Sequence, residues 1–225
     1  MKIIDNDNIQ VIKLELEIEN TGHITNSYIL KDKSTNHICV IDPAFDDVKI
    51  KQTINEMGGK LELVIITHSH ADHIAALAKL VENEDVKVYV HELDYEGLYD
   101  KILNEEAVVK TKVLPVNKSQ VETLDDKSVI NLGSTVIKII HTPGHTRGSI
   151  CLVDTKNNIL YSGDTIFQNS YGRTDLITGN SSDMKKTLDC LFNTYEDILV
   201  LPGHGEEFNL KDSKRKIRLL FAYKG

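Results

Sequence analysis

Between residues 11 and 18, Ile12, Leu14, Leu16 and Ile18 interleave with Lys13, Glu15 and Glu17. A period of two sends the two sets to opposite faces of a strand, so the segment predicts a half-buried β-strand with its charged set outward. Residues 26–31 and 37–41 predict two more strands around the polar turn 32–36. Ile50, Ile54 and Met57 follow an Asp46-Asp47 start and precede Gly58-Gly59, which predicts a capped amphipathic helix. The continuous apolar run 63–67 predicts a strand buried on both faces. Ile74, Leu77, Ala78 and Val81 then recur at helical spacing. Further along, the pattern predicts a strand at 86–90 and a helix over 94–104, and it gives no clear element over 105–127. Two hairpins are predicted, 129–132 with 135–140 around Gly133-Ser134, and 150–153 with 159–161 around Lys156-Asn157-Asn158. Met184, Leu188, Leu191 and Phe192 predict a helix, residues 198–201 a strand, and 211–223 a basic closing helix. Groups of strands separated by helices, with no linker or repeat, predict one α+β domain over residues 1–225, its helices packed outside a β core.

Composition narrows the chemistry. The net charge of −8 argues against nucleic acid as a partner, because phosphate binding needs clustered Lys and Arg. No apolar run is long enough to span a bilayer, and the first ten residues carry charges where a signal peptide needs an apolar stretch. Cys39, Cys151 and Cys190 are odd in number and far apart, which suits a reducing compartment. A cytoplasmic location is therefore expected. Cys151, inside a predicted strand, is expected in the core.

The densest chemistry is Thr67-His68-Ser69-His70-Ala71-Asp72-His73. It follows a buried strand and opens a helix, so its side chains emerge at a strand's carboxyl end, where ligands gather in sheet proteins. So many imidazoles and a carboxylate in so short a stretch are reconciled by a bound divalent cation. Three more strand-end turns containing glycine each present a candidate ligand. These are His145 in Pro143-Gly144-His145, Asp164 in Gly163-Asp164, and His204 in Pro202-Gly203-His204-Gly205. Five His and two Asp suffice for two metals with one bridging carboxylate. His23, His37 and His91 have no such context and read as structural or surface residues. His141 reads as an outer neighbour of the site at most.

H-x-H-x-D-H, then P-G-H-T, G-D and P-G-H-G, resembles the metallo-β-lactamase fold superfamily over about residues 11–208. The segments 163–167 and 171–176 resemble its glyoxalase II-like branch, the hydroxyacylglutathione hydrolases. The resemblance implies an αββα sandwich, two central mixed sheets flanked by helices, with metals in a cleft at one edge. By motif position, His68, His70 and His145 would hold one metal; Asp72, His73 and His204 would hold a second; Asp164 would bridge them. It further implies two divalent ions, with zinc expected and iron or manganese as substitutes, and a metal-bridging hydroxide attacking a small-molecule thioester or ester. Asp72 and Asp164 are the catalytic carboxylates in this reading. Arg173 is a candidate substrate contact, against the competing reading that it pairs with Asp175.

The persulfide dioxygenase branch is the nearest rival, since it shares H-x-H-A-D-H and G-R-T-D and by position would bind one iron through His68, His145 and Asp164. A lactone or ester hydrolase of the same fold and a non-enzymatic metal-binding module also fit the motifs. Asp164, and the lack of Cys in any motif turn, distinguish the chain from true β-lactamases. Three departures stand out. Only 21 residues, 205–225, follow His204, so the glutathione-gripping helical domain of glyoxalase II is not expected. Ile74-Ala75-Ala76 replaces the usual I-G-G, and Asp42-Pro43-Ala44 the common D-P-G. Asp42 has two readings, orientation of a ligand histidine or capping of a turn.

Overall fold

The computed structural model describes residues 2–18 and 21–222. Its first sheet contains β1 (Lys2–Asp5), β2 (Ile9–Glu17), β3 (Ile24–Asp32), β4 (His37–Ile41), β5 (Lys60–Ile65), β6 (Lys87–His91) and β7 (Val121–Leu124), side by side in that order. Pairing is antiparallel from β1 to β4 and parallel from β4 to β7. The second sheet is built from β8 (Val129–Leu132), β9 (Thr135–His141), β10 (Ile150–Asp154), β11 (Ile159–Gly163), β14 (Leu199–Pro202) and β15 (Phe208–Asn209). Only its β11–β14 pair is parallel. A two-residue-per-strand ribbon, β12 (Ile166–Phe167) with β13 (Ser170–Tyr171), stands apart. The helices are α1 (Asp47–Met57), α2 (Ala71–Ile74), α3 (Leu77–Leu80), α4 (Glu106–Val109), α5 (Ser181–Thr194) and α6 (Leu210–Ala222).

Strand alternation sorts the apolar side chains into three cores. In β4, Ile38 and Val40 pack against α1 and α3, while Cys39 and Ile41 face the second sheet. In β10, Ile150 and Leu152 face the first sheet, while Cys151 and Val153 pack with Met184, Leu188 and Leu191 of α5 and Ile217 of α6. Three apolar interfaces define four layers, helix, sheet, sheet, helix, which is the expected αββα sandwich of two mixed sheets. Cys151 is fully buried as expected. No helix among the described residues is long and apolar enough to cross a membrane.

Most predicted elements recur, and α1 carries its expected cap, with Asp46 accepting from Lys49 N and Gly58 in the left-handed region. Three differences have physical causes. Lys13 is buried rather than outward, because its Nζ meets Glu15 at 3.2 Å and Glu207 at 3.2 Å. The helix predicted through 74–81 is split at Ala75-Ala76. There the turn at Ala44 takes over the backbone groups, donating to His73 O at 3.0 Å and accepting from Ala76 N at 2.6 Å. The helix predicted over 94–104 is instead a tight 3₁₀ stretch, Glu92–Leu98, pressed onto the His68–His70 loop. A Cβ on Gly97 would lie 2.0 Å from Ser69 Oγ, so the backbone itself approaches that loop. β1, β7 and the β12–β13 ribbon have no counterpart among the predicted elements. The predicted closing helix matches α6, with position 223 outside the described residues.

Candidate metal centre

Every residue of the predicted ligand set lies at one edge of the sandwich, just past the ends of β5, β9, β11 and β14. The loop after β5 carries His68 and His70, and the short α2 that follows carries Asp72 and His73, all buried. The loop is tied to the second sheet by Ile150 N donating to Thr67 O at 2.9 Å. The rings of His68, His70 and His145 meet edge-on, with centroids 4.6–4.8 Å apart. On the other side, His204 Nε2 lies 3.3 Å from Asp72 Oδ2, and His73 Nε2 lies 3.5 Å from the same oxygen. Asp164 stands between these groups. Its Oδ2 is 3.5 Å from His145 Nε2 and 3.3 Å from His204 Nε2, and its Oδ1 is 3.4 Å from His73 Nε2. Four donors around a tetrahedral ion with bonds of about 2.0–2.1 Å stand roughly 3.3 Å apart, close to these separations.

Two glycines make the approach possible. Gly163 adopts φ 46°, and a Cβ there would strike Thr67 Oγ1 at 2.4 Å. At Gly203 a Cβ would lie 2.3 Å from Asp164 Oδ1 and 2.7 Å from His73 Cε1. Any side chain there would separate two of the converging ligands.

The rings are aimed by groups behind them. His73 Nδ1 meets Asp42 Oδ2 at 2.9 Å, His145 Nδ1 meets Arg173 O at 2.8 Å, and His204 Nδ1 meets Ile24 O at 2.6 Å. A backbone carbonyl can only accept, so His145 and His204 donate from Nδ1 and turn Nε2 toward the cluster. Asp42 takes the first of its two predicted readings, since it orients His73, and its carboxylate also accepts from Thr67 N at 2.8 Å and Thr67 Oγ1 at 2.6 Å just past the end of the neighbouring strand.

Burial, then the neighbouring rings, push the pKa of His68 down; the same causes bring His70 to about 3. Both rings are therefore neutral ligands near neutral pH. Burial also opposes charge on His73 and His204, but Asp72 and Asp164 outweigh it, raising His73 and taking His204 up to about 10. Burial likewise would raise Asp72 and Asp164, yet the adjacent imidazoles hold both well below the usual carboxylate range. Five of the eight buried polar side-chain atoms without a hydrogen-bond partner among the described residues belong to this cluster: Nε2 of His68, His70, His73 and His145, and Asp164 Oδ1. Such atoms are rare in folded proteins. Imidazole and carboxylate donors converging without partners fit divalent cations, which would replace the protons on His73 and His204.

The family model of the metallo-beta-lactamase superfamily matches residues 20–204. The chain belongs to that superfamily. The "Probable metallo-hydrolase YqgX" of Bacillus subtilis (strain 168) is 33% identical over 183 residues, covering 81% of this chain and 85% of that protein. The "Hydroxyacylglutathione hydrolase GloC" of Haemophilus influenzae is 23% identical over 209 residues, covering 92% and 95%. Among solved structures, TTHA1623 in a di-iron-bound form superimposes with a TM-score of 0.81 at 25% identity, covering 92% of this chain and 99% of that one.

In this metallo-beta-lactamase superfamily member the Arg173 side chain binds Asp175 through two 2.8 Å hydrogen bonds at the surface, while its carbonyl aims His145. His141 Nε2 meets Arg147 O at 2.8 Å, and its ring stacks on buried His91 with centroids 4.1 Å apart, outside the ligand cluster. Sequence reasoning missed two residues. Asp94 is buried and accepts from Ser69 N at 2.9 Å and Gly148 N at 2.8 Å. His23, read as structural or surface, has its Nε2 3.0 Å from Asp72 Oδ2. Neither lies in a ligand motif; the only available signal for Asp94 was an acidic residue just past a strand end.

Proposed function

We propose that this chain is a dinuclear metal-dependent hydrolase acting on a thioester or ester of a small molecule, of the hydroxyacylglutathione hydrolase type. The observation that carries the reading is Asp164, one carboxylate facing both His145 and the His73–His204 pair. In this reading His68, His70 and His145 hold one ion, Asp72, His73 and His204 the other, and Asp164 both. When bound, the pair of ions would supply an activated water and an electrophile for the acyl carbonyl. The chain's own part is positional. Asp42 and the carbonyls of Arg173 and Ile24 fix ring orientation before substrate arrives, which limits reorganisation during the reaction. Burial keeps His68 and His70 unprotonated. A thiolate is a good leaving group that needs no proton from the protein. The name of the Haemophilus influenzae relative and the di-iron form of TTHA1623 support the substrate class and the two-ion count. Residues 1–225 act as one catalytic unit, with zinc the expected ion and iron or manganese accommodated by the same donors.

The test is elemental analysis of the purified protein, followed by a thioester panel that includes S-lactoylglutathione. About two ions per chain with thioester hydrolysis is the expected result. A single iron with oxygen uptake on glutathione persulfide would replace this reading with the dioxygenase one. Two bound ions with no turnover of thioester, ester or lactone would leave a binding module.

A further inference from the structure

We propose that His23 is an additional protein ligand of the second cation, supplied by the tip of the β2–β3 hairpin. The inference rests on the two-ion reading above and adds a donor that the strand-end motifs do not contain. One ligand atom from each of His23, Asp72 and His204 lies within 4.8 Å of the others. His23 Nε2 stands 3.0 Å from the same Asp72 oxygen that faces His73 and His204. The His23 ring meets the His204 ring edge-on, centroids 5.3 Å apart, and the Phe45 ring at 6.3 Å.

Three consecutive residues of this hairpin serve the second site. His23 reaches Asp72, the carbonyl of Ile24 accepts from His204 Nδ1 at 2.6 Å, and Thr25 Oγ1 donates to Asp72 Oδ2 at 3.2 Å. The loop leading to His23 is itself held. Ile18 N donates to His23 O at 3.1 Å, His23 N to Thr21 Oγ1 at 3.1 Å, and Gly22 N to Glu17 Oε1 at 2.9 Å. A side chain 41% exposed on a tethered loop, aimed at the outer donors of a buried cluster, is placed to close a cation's solvent side. With His23 bound, Asp72, His73, His204 and Asp164 are joined by a fifth donor, and the second ion has a higher coordination number than a four-donor site provides. The second ion is thereby held more firmly against loss than the strand-end ligands alone would hold it.

The experiment uses the full chain, stripped of metal and titrated with zinc and with cobalt(II), comparing wild type, His23→Ala and His23→Gln. Glutamine keeps a hydrogen-bond donor for Asp72 and removes the imidazole, so it separates ligation from hydrogen bonding. Both variants are expected to bind the first ion normally and to weaken the second by about 10–100-fold, the range that perturbing metal-site partners commands. The cobalt absorption bands of the second ion should shift and intensify as its coordination number falls. Wild-type affinity and bands in His23→Gln, or in His23→Ala, would overturn the proposal. A readout free of folding effects comes from proton NMR of cobalt-loaded wild type. One strongly shifted imidazole beyond the five of His68, His70, His73, His145 and His204 is expected; five alone would overturn it. A wild type that takes up fewer than two ions would instead count against the dinuclear reading.

Discussion

Asp94 bridges two ligand-bearing loops without approaching the cluster itself. Its Oδ2 accepts from Ser69 N at 2.9 Å, Ser69 Oγ at 3.3 Å and Thr146 Oγ1 at 2.9 Å, and its Oδ1 accepts from Gly148 N at 2.8 Å. Ser69 lies between His68 and His70, and Thr146 follows His145, so this one carboxylate sets the spacing of the three side chains proposed to hold the first ion. In Asp94→Asn the amide has one accepting oxygen and one donating nitrogen. The nitrogen must face either Ser69 N or Gly148 N, donor against donor. Orphaning one buried backbone N–H costs about 1–3 kcal/mol, and the remaining bonds lose their charge assistance. The total is roughly 3–5 kcal/mol, a large part of the stability of an ordinary domain, about 5–15 kcal/mol. Urea unfolding of metal-free protein measures it directly, since bound metal would mask the loss by linkage. Thr146→Val removes the hydroxyl's contacts with Asp94 Oδ2 at 2.9 Å and Ser149 Oγ at 2.8 Å but leaves both backbone donors to Asp94 in place, and should cost about 1–3 kcal/mol. The affinity of the first ion should fall in Asp94→Asn, because His68, His70 and His145 lose their common brace. A loss below about 1 kcal/mol with unchanged affinity would refute the argument, since the four donors would then have no need of the charge.

Asp164→Ala should lower both metal content and turnover, to about one ion per chain, in elemental and kinetic assays; two ions retained would remove Asp164 from the bridging role. Asp32 offers a pH test remote from the metal centre. Its carboxylate accepts from Ser34, Thr35, Ser134 and Thr135, joining the β3–β4 turn to the β8–β9 hairpin. Burial would raise its pKa, but these donors together hold it well below the usual carboxylate value. A depressed folded pKa adds stability that is complete above roughly pH 4 and is lost as pH falls through the folded value. Asp32→Asn should therefore cost about 2 kcal/mol or more near neutrality by denaturant unfolding. Its deficit should shrink as the pH drops below roughly 4. A deficit that grows on acidification would reverse the sign of this account.

The fold was legible where a strand's two faces meet apolar layers. β9 alternates because Ile137 and Ile139 enter the core between the sheets while Val136 and Lys138 face solvent, and the runs in β10 and before His68 are continuous because both faces of β10 and β5 are covered. Legibility failed where a partner far along the chain decides. Lys13 looks like a solvent residue until Glu207 arrives from the loop after His204. Residues 74–81 read as one helix because side-chain spacing carries no record of the Ala44 turn that takes the backbone groups of His73 and Ala76.

The same division runs through the metal centre, and it explains which residues escaped. The seven predicted ligands are visible because each follows a strand, in a turn whose glycine or tight spacing has its own signature. Their companions act through backbone or borrowed oxygens. Arg173 aims His145 with a carbonyl, a group every residue has, so no residue type could betray it. Asp42 was open between two roles because one carboxylate has two oxygens and several lone pairs, enough to hold His73 and to tie Thr67 at once. His23 precedes a strand instead of following one, and its meaning depends on the β2–β3 register that sets Ile24 beside His204 and Thr25 beside Asp72. A ligand motif records which atoms meet a cation, whereas the precision of that meeting is set by pairings that only the folded sheets create. The most informative variants are therefore outside the motif, at Asp94 and His23, where loss of a single side chain separates how the ions are held from which groups hold them.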